Sequence, residues 1–303
     1  MLPGMTTPAL SSPVVTALVS FQQPPGLEEQ ELIRSLGGVI KHTYDVVPAV
    51  AALIPEDKLD ELAADPRVVS VEEDSRARAV GTMVPGGLLQ MYTGLARPQS
   101  GGGVVKVAIL DSGIDLDHPG LAVAGDVTFV DGTTSGDDDN GHGTMVAGVV
   151  AAVAPQAELY AVKVMGQGGW LWWSDVIKGI DWAWRNDIQV VNMSFGGPNE
   201  PPKTVHNAIK RASRKGVILV AGAGNLGDEG YPDLVFYPAK YDEVIAVGAT
   251  DETDTRVITS GWGPSLELVA PGANVYTTTK GGGYGTGGGT SLSTPHVAGA
   301  AAL

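Results

Sequence analysis

The sequence predicts an α/β fold in which a parallel sheet carries helices on both faces, preceded by a small α+β unit. Two observations predict it. Five short apolar runs (VVKVAIL at 104–110, ELYAVKV at 158–164, IQVVNMS at 188–194, VILVAGA at 217–223 and VIAVGAT at 244–250) recur with helical patterns between several of them. Runs of this kind suit strands buried on both faces, and strands alternating with helices build a covered parallel sheet. Before residue 81 the order changes to strand, helix, strand, strand, helix, strand, the order of a split βαβ or ferredoxin-like unit.

Taken in order, residues 1–13 are rich in Pro and Ser and form a flexible lead-in. VVTALVSFQ at 14–22 reads as a strand, LEEQELIRSLGG as a helix stopped by Gly37 and Gly38, and VIKHTYDV and AVAALIP as strands. PEDKLDELAAD is a helix opened by Pro55, and VVSVEED is a final strand. The unit spans 14–80. DSRARAVGTMVPGG and PQSGGG (98–103) suit an exposed connection, and the larger unit runs from 81 to 303. Its helix at 174–187 illustrates the packing. Ser174 is placed to cap it, and Val176, Ile177, Ile180, Ala183 and Trp184 share one face. Lys178, Asp181 and Arg185 pair on the other face.

Composition narrows the function. A net charge of −15, from 34 acidic against 19 basic residues, argues against a nucleic-acid partner, since phosphate backbones are bound by Lys and Arg. Without Cys there is no disulfide frame, thiolate nucleophile or Cys-bound zinc. No apolar run is long enough to span a bilayer, and MLPGMTTPALSSPVV lacks the basic and apolar segments of a signal peptide.

Three strings carry residue types that nucleophilic catalysis needs: AILDSGID with Asp111, NGHGTMVAG with His142, and GGGTSLSTPHVAG with Ser291. A serine hydroxyl attacks only when a base takes its proton, and an imidazole serves as that base when a carboxylate holds its tautomer. Each residue alone also suits a turn or a helix cap. GAGNLG at 222–227 matches a dinucleotide-binding GxGxxG, but a turn-rich segment and not a helix follows it. Neither a GxSxG elbow nor an HExxH zinc motif occurs.

Together, in this order, the three strings resemble the subtilisin family of serine peptidases from about residue 14 to the end. The resemblance implies a subtilisin-like fold and a serine endopeptidase acting through an acyl-enzyme, with Asp111, His142 and Ser291 as its triad. Asn225 of AGAGN and the backbone N–H of Ser291 are then the oxyanion donors. Pro295 is expected in the first turn of the serine helix, where its missing N–H has no partner, and His296 is expected to pack inside that helix. Substrate contacts fall on Gly169, Trp170, Leu171, Trp173, Ser194, Phe195, Gly196, Ala223, Gly224 and Phe236. Phe236 lies at the base of the pocket before the cut bond, whereas Trp172 is expected to pack outward or against its neighbours.

The same resemblance makes 14–80 a propeptide that assists folding and inhibits the enzyme. It is cut away at Val80–Gly81, with VEEDSRARAV lying in the cleft as a product. Protein or peptide substrates and this propeptide are the implied partners, with no nucleic acid and no membrane. An extracellular location is implied as well. Catalysis needs no cofactor. The usual calcium loop after His142 is missing and HPG replaces HPD at 118–120. Asp131, Asp137, Asp138 and Asp139 offer oxygens to a different structural calcium, although an acidic solvated loop is the plainer reading. The family continues past AAAL, where this chain stops. The rival reading is an inhibitory binding protein built on a truncated peptidase scaffold.

Overall fold

The structure is a computed structural model that describes residues 12–80, 82–83, 104–228 and 234–303. The lead-in before residue 12, Gly81 and the connection from 84 to 103 lie outside the described residues. The chain divides into two compact units, Met1–Asp74 and Ser75–Leu303.

In the first unit the order is β1 (Val14–Phe21), α1 (Leu27–Ser35), β2 (Val39–Thr43), β3 (Ala49–Pro55), α2 (Leu59–Ala63) and β4 (Val68–Glu73). The four strands form one antiparallel sheet in the order β2-β3-β1-β4. Alternation decides which residues turn inward: Ala17, Val19 and Phe21 of β1 and Val50, Ala52 and Ile54 of β3 meet Ile33 of α1 and Leu62 of α2 in one core. Burying a side chain such as Ile54 contributes about 1.5–3 kcal/mol.

The second unit begins with β5 (Arg76–Ala79) and β6 (Thr82–Met83), followed by β7 (Lys106–Asp111), β8 (Val123–Thr128), α3 (His142–Val153) and β9 (Glu158–Lys163). Next come β10 (Trp170–Trp172), α4 (Trp173–Arg185), β11 (Val190–Met193), β12 (Phe195–Gly196), α5 (Lys203–Arg214) and β13 (Ile218–Gly222). The described chain ends with β14 (Ile245–Thr250), β15 (Leu268–Pro271), β16 (Val275–Thr279), β17 (Gly283–Gly288) and α6 (Thr290–Ala301). Seven strands form a parallel sheet in the order β15-β14-β13-β11-β7-β9-β8.

The five apolar runs are β7, β9, β11, β13 and β14, the interior of this sheet. Val107, Ile109, Val190, Val220 and Val247 pack against Val149 and Val150 of α3 and Leu292 and Ala298 of α6. On the other face Leu110 meets Gly179 of α4 closely enough that a Cβ there would lie 3.1 Å from its side chain. Two details differ from the sequence reading. Helix α4 starts at Trp173 with Trp172 in the N-cap position, so Ser174 lies inside the first turn. Asp181 pairs with Lys178 at 3.2 Å and Arg185 at 3.4 Å but is fully buried, because α4 also packs on α5.

Candidate active site

Ligands of open α/β sheets gather beyond the carboxyl ends of the strands, and the singled-out residues stand there. Asp111 ends β7 and is wholly buried. Its Oδ1 accepts hydrogen bonds from His142 Nδ1 at 2.8 Å and from the Ser112 N–H at 2.7 Å. With Nδ1 donating, the lone pair of a neutral ring is left on Nε2. That atom has no hydrogen-bond partner among the described residues. Burial acts to lower the His142 pKa, but the Asp111 charge and hydrogen bond, helped by Asp138, outweigh it and leave the pKa raised above 6.5.

His142 is the first residue of α3, and the turn before it is tied down by Asp138. The Asp138 Oδ1 accepts from Ser112 Oγ and the N–H groups of Asn140 and Gly141, while Oδ2 accepts from the N–H and Oγ1 of Thr144. These are the donors that a helix start leaves open. Gly143 lets α3 approach the turn after β7, since a Cβ there would come within 2.0 Å of the Gly113 carbonyl oxygen.

Ser291 is the second residue of α6 and is buried. It lines a cavity of about 360 Å³ together with His142, Met145 and Leu292. No hydrogen bond joins Ser291 to His142 among the described residues. Such contacts often close only with substrate bound. Asn225 is oriented by its Oδ1, which accepts from the Thr290 N–H at 3.0 Å.

Pro295 requires a correction. It is the sixth residue of α6, beyond the first turn, and an N–H there would have donated to the Ser291 carbonyl. The Ser194 hydroxyl donates to that oxygen instead, at 2.8 Å, and itself accepts from Asn192 Nδ2 at 2.9 Å. His296, as expected, turns into its own helix, with Nδ1 hydrogen-bonded to the Leu292 carbonyl.

Between β10 and β12 lies β5, antiparallel to both. Trp170, Leu171 and Trp172 face Arg78, Ala77 and Arg76, and Phe195 and Gly196 face Ala79 and Arg78. The Ala79 N–H donates to Gly169 O, the Val80 N–H to Ser194 O and the Trp173 N–H to Ser75 O. At the end of the strand the Val80 carbonyl oxygen accepts from Asn225 Nδ2 at 2.7 Å and from the Ser291 N–H at 3.0 Å. Just beyond, Thr82 and Met83 pair with Gly288 and Gly287.

The Val80 side chain, buried itself, shares a second cavity of about 560 Å³ with Asn225 and Phe236. Gly224, at φ 95°, admits the Phe236 ring: a Cβ there would stand 2.5 Å from Cγ. Ala223 is buried, and its carbonyl accepts from the Phe236 N–H. Trp173 is buried edge-on to Phe195, whereas Trp170 is half exposed. Trp172 is half-buried, and its ring packs against a side chain of the neighbouring strand, with the Arg76 guanidinium 4.0 Å above it. Only knowing which residues pair across β5 and β10 could have revealed that contact.

The four residues of the acidic cluster have separate surroundings. Asp138 spends both oxygens on the α3 start, Asp139 pairs with buried Lys163 at 2.7 Å, Asp137 accepts from the Leu116 N–H, and Asp131 is exposed. Among the described residues no group of three or more His, Cys, Asp or Glu is placed to hold a metal.

A buried carboxylate–imidazole pair, a serine heading a helix and an amide aimed at a carbonyl at the strand ends define an α/β protein with the constellation of a serine hydrolase. The model of the Subtilase family matches residues 102–303, and the chain belongs to that family. It is 42% identical to Subtilisin E of Bacillus subtilis over 301 residues, covering 94% of this chain and 79% of that protein. With an Alkaline protease of Shouchella clausii it shares 41% identity over 273 residues (86% and 70%). With the Thermostable alkaline protease of Halalkalibacterium halodurans it shares 37% over 309 residues (99% and 84%).

Proposed function

We propose that this serine peptidase of the subtilase family is an endopeptidase using Asp111, His142 and Ser291, and that it makes its first cut in its own chain between Val80 and Gly81. One observation carries the reading: the Val80 carbonyl oxygen accepts from Asn225 Nδ2 and the Ser291 N–H at 2.7 and 3.0 Å. Donors at that distance stabilise the oxyanion of a tetrahedral intermediate.

Ser291 Oγ adds to the Val80 carbonyl carbon as His142 Nε2 takes its proton, and the negative charge settles on the oxygen held by the two donors. Collapse breaks the Val80–Gly81 bond, and the leaving amine takes the proton back from His142. Water, activated by the same imidazole, then frees Val80 as a carboxylate. Asp111 holds the ring through its hydrogen bond to Nδ1. No step needs a cofactor.

Residues 14–80 act as the propeptide and remain as an inhibitor after the cut. The Ser75–Val80 strand is added to an open groove edge, so deleting RARAV from a separate 14–80 segment should weaken inhibition sharply, and equal potency would show that the strand does not occupy the groove. Other proteins and peptides are then the substrates, and the family resemblance supports a reading in which the work is done outside the cell. Among the described residues no helix is long and apolar enough to cross a membrane.

The ring of Phe236 makes the pocket for the side chain before the cut bond shallow. Ala or Val is therefore favoured there over Phe or Tyr by about 10- to 200-fold, and Phe236→Gly reverses the order. A peptide-library profile checks this, and a preference of the unmodified enzyme for Phe or Tyr contradicts it. The activity itself is tested with a serine-directed phosphonate and mass spectrometry. Labelling is expected at Ser291, whereas a folded sample that takes no label favours the inhibitory scaffold.

A further inference from the structure

The strand in the groove carries two arginines, and the groove treats them differently. Counting back from Val80 as the first residue, Arg78 is the third and Arg76 the fifth. Arg76 stands opposite Trp172 in the β5–β10 register, with its guanidinium carbon 4.0 Å from the ring centre. A cation within ~6 Å of an indole face is attracted by the ring quadrupole.

The geometry is held from both sides. Trp172 occupies the N-cap position of α4 in an extended conformation, φ −98° and ψ 142°, between Leu171 and Trp173, each 2% exposed. The strand is pinned one residue beyond Arg76 by the Trp173 N–H donating to Ser75 O at 3.1 Å. No carboxylate among the described residues pairs with Arg76, so the ring is the partner of the charge. Arg78 faces Trp170, a residue 53% exposed, and stacks on no ring among the described residues.

We infer that Trp172 is a specificity-determining residue that selects a cationic side chain on the fifth residue before the cut bond. The inference rests on the peptidase reading above and extends the recognised substrate beyond the pocket at Phe236. The net charge of −15 favours any basic peptide, but it acts on both arginines alike, and only the ring contact distinguishes them.

Competition between peptides tests this. The full chain is given mixtures of SRARAVGT and the same peptide with citrulline, a neutral analogue of arginine, at one position or the other. Relative product yield gives the ratio of kcat/KM whatever fraction of the enzyme is active. Arginine at the fifth position is expected to be favoured about two- to fivefold, the range for an exposed cation–ring pair. Citrulline at the third is expected to cost less than that. In Trp172→Leu the fifth-position ratio should fall to that of the third.

Equal ratios at the two positions in the unmodified enzyme, or a preference that survives Trp172→Leu, overturns the inference. If no peptide is cut, the peptidase reading fails instead. The contact is then judged in the uncut Ser291→Ala chain, where Arg76→Gln should speed amide exchange of segment 75–79 about two- to fivefold. Unchanged exchange overturns it there.

Discussion

Helices α3 and α6 each bring one side chain of the proposed triad to the groove from their first turn, yet they are anchored in opposite ways. The start of α3 is anchored mostly from nearby in sequence: Asp138 accepts five hydrogen bonds, four of them from residues 140–144. The start of α6 is anchored from far away, by Asn225 Oδ1 on the Thr290 N–H and by Ser194 Oγ on the Ser291 carbonyl. The residues that hold Ser291 also touch the bound strand, since Ser194 O accepts from the Val80 N–H and Asn225 donates to the Val80 carbonyl. The anchors of His142 thus do not touch strand β5, while those of Ser291 do.

The largest effect expected from this contrast is that of Asp138→Ala. It strands buried donors at Gly141, Thr144 and Ser112, at a cost of about 3 kcal/mol. Urea unfolding in a Ser291→Ala background, which removes self-digestion, measures it. A loss below 1 kcal/mol would show that water replaces the carboxylate and that the anchor is not what positions α3.

A smaller loss, about 1–2 kcal/mol, is expected for Ser194→Ala, which leaves the Ser291 carbonyl without a donor. Pro295→Ala restores an N–H at the position that would pair with that carbonyl. Its effect should therefore be more favourable in the Ser194→Ala background than alone. Strict additivity in the double-mutant cycle would mean that Ser194 does not stand in for the missing helix donor.

The same contrast explains how much could be read from the sequence. Interior strands β7, β9, β11, β13 and β14 were legible because burial on both faces makes them continuous apolar runs. Strand β8 at one edge, VAGDVT, and β17, GYGTGG, carry no such signal. Glycines that let β17 lie beside another backbone read as a loop. Asp111, His142, Ser291 and Asn225 stood out through their strings and through resemblance, not through any local pattern. Pro295 was misplaced because its missing donor is supplied by a residue about a hundred positions earlier. The Arg76 contact of Trp172 and the burial of Asp181 could not be read for a related reason: which face of a strand or helix is covered depends on a partner that sequence spacing does not name.

The smallest expected effect concerns pH. The raised His142 pKa means that Nε2 becomes free to accept a proton only as pH rises through a value above 6.5. Peptide hydrolysis should climb through a midpoint above that value, and Asp111→Asn should lower the midpoint. Stability runs the other way. A pKa raised in the fold contributes stability that is complete below pH 6.5 and fades as pH passes the raised value. An activity midpoint at or below 6.5 would show that burial, not Asp111, dominates the imidazole.

Self-cleavage tests the central claim most directly, because it depends on the Val80 carbonyl lying between Asn225 and Ser291 in the intact chain. Purified full-length protein is followed over time by mass spectrometry at several concentrations, beside Ser291→Ala. The expected result is a new N-terminus at Gly81, formed at a rate independent of concentration in the unmodified chain and absent from the variant. Cleavage at the same bond and rate in Ser291→Ala, or a first cut elsewhere, would contradict it.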